Sequence, residues 1–153
     1  MNRPARRMES RFLHFDSRDL QNVTESSFAI NFGTDVPIQD YNNVVQIELK
    51  VMSAEKPATE DYALFKIKNI DGKVDSTNQQ GDITTVVYFE DNRKPVFFGG
   101  NKFEFQPPIS KLNKLNIDVL TRDGTGNFVP MDVTGTKHMS FLLKITYIEG
   151  NFY

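Results

Sequence analysis

The 153-residue chain has no cysteine and no tryptophan, and only two histidines, His14 and His138. Without cysteine, disulfides and thiolate metal sites are excluded outright. Two histidines lying 124 positions apart fall short of the ligand clusters that hold catalytic zinc. No apolar run reaches the roughly 18 residues that a bilayer-spanning helix needs. Charge of one sign is also lacking: the net charge is −2, so no global field points to nucleic acid or a membrane. An export signal is not expected either. Arg3, Arg6 and Arg7 lead into Met8, Glu9, Ser10 and Arg11 rather than into an apolar stretch. The sequon Asn22-Val23-Thr24 is then read as coincidental.

Phenylalanine is abundant, at 13 residues. Aromatic and β-branched side chains suit a pleated, half-buried surface. Period-two alternation recurs along the chain. Val45, Ile47, Leu49 and Val51 alternate with Gln46, Glu48 and Lys50. Leu115, Ile117 and Val119 alternate with Asn116 and Asp118, and Phe103 and Phe105 with Lys102 and Glu104. Phe141, Leu143, Ile145 and Tyr147 share a face near the end. Eight strands are expected, at about 11–15, 27–32, 44–53, 62–70, 83–90, 102–106, 114–121 and 139–148. Asp71-Gly72, Gly81-Asp82, Gly99-Gly100, Pro107-Pro108 and Asp123-Gly124 mark the turns between them. Strands one, three, six and eight should form one sheet, and two, four, five and seven the other. Ile47, Leu49, Phe103, Ile117, Val119, Leu143 and Ile145 should point inward. The fold expected is all-β: an eight-stranded antiparallel jelly-roll sandwich. It occupies 11–153, behind a basic N-terminal arm at 1–10.

Residues 1–11 sum to +3 and the remaining 142 to −5. The arm, through Arg3, Arg6 and Arg7, is therefore a candidate contact with the acidic surface of a sister copy or with an anionic membrane. The alternative is a solvated tail. Asp16-Ser17-Arg18-Asp19 is the densest polar cluster and reads as a strand-ending turn: Asp and Ser bond local backbone, and Arg18 forks onto a carboxylate. Asp123-Gly124-Thr125-Gly126-Asn127 fails the calcium-loop pattern, because Phe128 and Thr134 stand where glycine and glutamate are required; it reads as a flexible connection. Phe97-Phe98-Gly99-Gly100 reads equally as an exposed apolar contact or as a flap over the end of the sandwich. No catalytic, metal or cofactor residues are assigned, and the chain is not expected to be an enzyme.

As an ordered series, Phe12-Leu13-His14-Phe15-Asp16-Ser17-Arg18-Asp19, Ser27-Phe28-Ala29-Ile30-Asn31-Phe32, Val44 to Val51, Pro107-Pro108 with Leu112 to Ile117, and His138 to Ile145 resemble the single jelly-roll capsid proteins of large nucleocytoplasmic DNA viruses, the group that includes their pentons. The resemblance implies a structural protein of the virion capsid, assembled in the host cytoplasm. Five copies would close each fivefold vertex and meet major and minor capsid proteins, with no specific nucleic acid. The alternatives are a minor capsid protein that cements larger capsomers, a carbohydrate-binding module and, last, a small enzyme. For assembly, the expected contact loops are 71–82, 92–101 and 122–137.

Overall fold

Alternation of apolar and polar side chains lets a strand bury one face and leave the other wet, and two such faces closing on each other make this fold. A computed structural model describes residues 7–38, 40–70, 74, 77, 81–96 and 102–149. Among these residues ten strands run β1 (Arg7–Asp16), β2 (Ser27–Asn31), β3 (Tyr41–Ser53), β4 (Tyr62–Ile67), β5 (Thr85–Asp91), β6 (Lys94–Val96), β7 (Lys102–Leu112), β8 (Lys114–Arg122), β9 (Phe128–Pro130) and β10 (Ser140–Glu149). Single-turn 3-10 helices at Ser17–Asp19 and Gly135–Lys137 are the helical pieces among the described residues.

The first sheet has the order β1-β10-β3-β7, and the second β2-β8-β4-β5-β6 with β9 paired to β8. Every strand pairing is antiparallel. The division of the eight long strands between the sheets is the one expected from sequence. The count is not: ten strands among the described residues replace eight. β6 and β9 are three residues each and contain Pro95 and Pro130, too short to show a period. β8 pairs with β2 through Asp118 and then with β9 from Leu120 to Arg122, so β9 continues the edge beyond the first residue of β2, Ser27.

One core lies between the sheets. All seven residues expected to face inward are buried, from Ile47 at 0% to Phe103 at 5% exposure. An aromatic knot sits at its centre. The Phe15 and Phe141 rings stack at 4.6 Å, Phe28 leans on Phe15 at 4.5 Å, and Phe65 meets Phe141 edge-on at 5.5 Å. A second knot, Phe32–Tyr41–Tyr147, closes the other end. A satellite cluster of Leu64, Ile83 and Leu120, flanked by Val74 and Phe128, lies apart from the main core.

Several sequence expectations are corrected. β3 does not keep one phase. The pairing slips between Leu142 and Leu143 and again between Thr146 and Tyr147 of β10, leaving Lys50 and Val45 as extra residues on β3. Each bulge advances the strand by one residue and swaps its faces. Val44 and Met52 are therefore buried while Val51 is 58% exposed. Pro107-Pro108 is not a turn but lies within β7, which extends to Leu112. β7 is the outer strand of its sheet, where proline removes no ladder bond of a central strand. The pairing there jumps from Glu104 to Ile109 while β3 moves only from Gln46 to Val44, so the prolines occupy a bulge. Finally, β1 begins at Arg7, so residues 7–10 belong to the sheet and not to an arm.

Candidate assembly surfaces

Residues Arg3, Arg6, Phe97 and Phe98 lie outside the described residues, as does most of loop 71–82. Arg7 is described. It pairs with Glu149 in the β1–β10 ladder, and its guanidinium lies 3.1 Å from Glu9 and 3.4 Å from Glu149. Those pairs are exposed and contribute little, on the order of 0–1 kcal/mol. Deleting residues 2–10 would strip four ladder pairings, Arg7 to Ser10 against Thr146 to Glu149.

The chain leaves β1 through Asp16-Ser17-Arg18-Asp19. Asp16 caps the short helix: its Oδ1 accepts from the Arg18 backbone N–H at 2.9 Å. The Arg18 guanidinium forks back onto the same carboxylate at 3.0 and 2.7 Å. Ser17 is buried and faces another way. Its Oγ accepts from the Met139 N–H at 3.0 Å, and its own N–H donates to the Met139 carbonyl at 2.9 Å. The turn therefore ties the end of β1 to the start of β10. Asp19 is exposed.

The hydrogen bonds from Arg18 hold the Asp16 carboxyl down at about 2, below its ordinary 3.8, against the opposing effect of burial. A carboxyl depressed in the fold stabilises it above the unfolded value, and that contribution is lost as pH falls through about 2. The expected result is a carboxyl carbon-13 titration of Asp16 with its midpoint near 2, moving back toward the ordinary value in Arg18→Ala. A midpoint near 3.8 in the unchanged chain would show that the fork does not persist in solution.

The loop 122–127 is closed by side-chain hydrogen bonds. Asp123 Oδ1 accepts from Thr125 N–H at 2.9 Å, Thr125 Oγ1 at 2.6 Å and Asn127 N–H at 3.0 Å. Asp132 repeats the device on Thr134, at 2.8 and 2.6 Å. In both cases the threonine hydroxyl leads in lowering the carboxyl below its ordinary range. Arg122 braces the loop, stacking 4.7 Å over Phe128 and donating to Tyr62 Oη and the Gly126 carbonyl.

Arg93, unremarked in the sequence, joins three segments. It sits at φ +58° in the β5–β6 turn and donates to the carbonyls of His138 and Thr136 and to Ser53 Oγ. Lys56 N–H donates to Asn92 Oδ1, and Thr59 Oγ1 to the Arg122 carbonyl. The connections after β1, β3, β5, β8 and β9 are thus knit into one continuous end of the sandwich. A cleft of about 250 Å³ there runs past Glu55, Pro57, Thr121 and Met131. Its rim cations are already engaged, Lys56 with Asp61 at 2.9 Å and Lys137 with Asp132 at 3.6 Å.

His14 is exposed on β1, opposite Leu142. His138 stands at the rim, its Nδ1 3.3 Å from the Gly135 carbonyl. The two do not share a metal-binding group, and no cluster of three or more potential ligands occurs among the described residues.

The outer face of the first sheet carries a second set the alternation alone did not single out. Glu48 faces outward yet is only 6% exposed. Lys144 pairs with it from β10 and Lys102 from β7. The ammonium groups of Lys50 and Lys102 lie 3.6 and 4.0 Å from its carboxylate. Beside this row lie Phe12 and Val51, each 58% exposed, with Leu142 between their strands. The bulge at Lys50 is what brings Val51 to this face, and only the pairing register reveals it.

Taken together, the sheets define an all-β, antiparallel β-sandwich protein. No protein-family model matches the chain, and no curated protein matches it.

Proposed function

We propose that this chain is a structural capsid protein, a jelly roll of which five copies close each fivefold vertex of an icosahedral shell. The observation that carries the reading is strand order. Taken alone, the long strands read β1-β10-β3-β7 in one sheet and β2-β8-β4-β5 in the other. The first strand lies beside the last, and consecutive long strands mostly change sheets, as in two interleaved Greek keys. Jelly rolls of this winding serve as capsid domains, lectins and cupins. The ordered motifs from Phe12 to Ile145, with their resemblance to capsid proteins of large DNA viruses, favour the first. A cupin would gather its histidines inside the barrel; here His14 lies on the outer face and His138 at the rim. In this role the partners are sister copies, the major capsid protein and minor capsid proteins, and the location is the virion.

Averaged cryo-electron density from intact particles containing the chain tests the proposal. The sandwich should fit five times around each fivefold vertex. Density between capsomers instead would overturn the penton role in favour of cementing. Binding of the purified chain on a glycan array, with no density in any particle, would overturn the capsid role as well.

A further inference from the structure

Two surfaces of the sandwich complement each other. The outer face of the first sheet shows hydrocarbon from Phe12, Val51 and Leu142 beside three lysines, Lys50, Lys102 and Lys144, against two glutamates, exposed Glu104 and sunken Glu48, a net +1. The knit end of the sandwich is acidic. Its segments 16–26, 54–61, 90–94, 122–127 and 131–138 carry ten carboxylates against six lysines and arginines, a net −4. Asp16, Asp123 and Asp132 are held below the ordinary carboxylate range, so these three stay ionised under mildly acidic conditions.

We propose that the outer face of the first sheet docks the acidic loop end of a second copy of this chain. The inference rests on the capsid reading for its biological setting. Exposed apolar side chains grouped on one face mark a contact surface, and charge of opposite sign on the two surfaces sets register and speeds encounter. Geometry adds a further argument. The strands run toward the acidic end, so that end and the sheet face lie roughly at right angles. A head-to-side contact of two different surfaces is heterologous and turns each copy relative to the last. It therefore builds a ring when the rotation closes, whereas matching faces would stop at a dimer.

The test uses the full chain. Isotopically heavy and ordinary chains are mixed and treated with a carbodiimide, which joins lysine amines to nearby carboxylates. Mixed heavy–light peptides should link Lys50, Lys102 or Lys144 to carboxylates of segments 16–26, 54–61 or 90–94. In sedimentation velocity, Phe12→Thr together with Val51→Thr should weaken association about tenfold or more, with the melting temperature little changed because both positions are exposed. Lys144→Glu should also weaken it, and Glu90→Lys added to Lys144→Glu should recover part of the loss. Cross-links joining like faces, association indifferent to these substitutions, or a chain that stays monomeric at every concentration would overturn the docking proposal. The two readings fail separately. A fivefold density with another face buried removes this contact and leaves the capsid role. Density elsewhere removes the vertex role and leaves the cross-links.

Discussion

Replacing Phe141 by alanine should lower the unfolding free energy by about 3–5 kcal/mol. The ring is 2% exposed and touches partners from both sheets: Phe15 at 4.6 Å, Phe65 at 5.5 Å and Phe28 at 6.3 Å. Truncation removes the burial of the ring and leaves a cavity. The surrounding rings cannot collapse into it, because each is fixed by its own strand. Phe12→Ala is the control. That ring lies on the neighbouring strand but is 58% exposed, so its loss should change stability by no more than about 0.5 kcal/mol. Urea denaturation of both variants reads the difference. A cost below about 1 kcal/mol for Phe141→Ala would mean that the aromatic knot is not the packed centre described above.

The second large effect is expected at a polar residue. Ser26 is fully buried. Its Oγ donates to the Val119 carbonyl and accepts from the Met131 N–H at 2.7 Å. Its own N–H donates to the Met131 carbonyl at 2.8 Å, and its carbonyl accepts from Val119 N–H at 2.9 Å. One serine thus joins the approach to β2, the middle of β8 and the residue after β9. Ser26→Ala removes the hydroxyl that the Val119 carbonyl and the Met131 N–H share, leaving them only a longer 3.4 Å bond to each other in place of it, and should cost about 1–3 kcal/mol. The adjacent Ser27 bonds Asp118 at 2.7 Å but is exposed, so water replaces the lost bond and Ser27→Ala should cost less than about 1 kcal/mol. Equal losses in the two variants would contradict the burial difference on which the argument rests.

These pairs show where the sequence was legible. Alternation identified the inward faces of β7, β8 and β10, because those positions report burial directly. It could not separate Ser26 from Ser27, which share a chemistry and differ only in what covers them. It misread β3 at Val45 and Val51, because a bulge changes phase without changing composition. It stopped β7 at Pro107, because proline breaks interior strands but is tolerated on an outer one. It missed β6 and β9, which are shorter than the period that would betray them. Of the surfaces, Asp16 and Arg18 were readable because their bonds are local in sequence. Arg93 was not, since its acceptors, Ser53, Thr136 and His138, lie 40 or more positions away. The lysine row around Glu48 likewise exists only through the register of three strands.

The place of β10 bears on how the molecule comes into being. It lies between β1 and β3, yet in amino-to-carboxyl synthesis it emerges after the other nine described strands. Until then β1 and β3 have no partner between them, and pairings as distant as Arg7 with Glu149 cannot form. Closing so long a loop is slow, of the order of milliseconds to seconds for sandwiches of this kind. During that interval the nascent chain exposes two apolar strand edges, a hazard for pairing with other chains. The last strand therefore works as a completion signal. A chain cut off before Ser140 has no finished first sheet, and so has neither the three-strand lysine row nor the tie between Ser17 and Met139 completed by a strand beyond it.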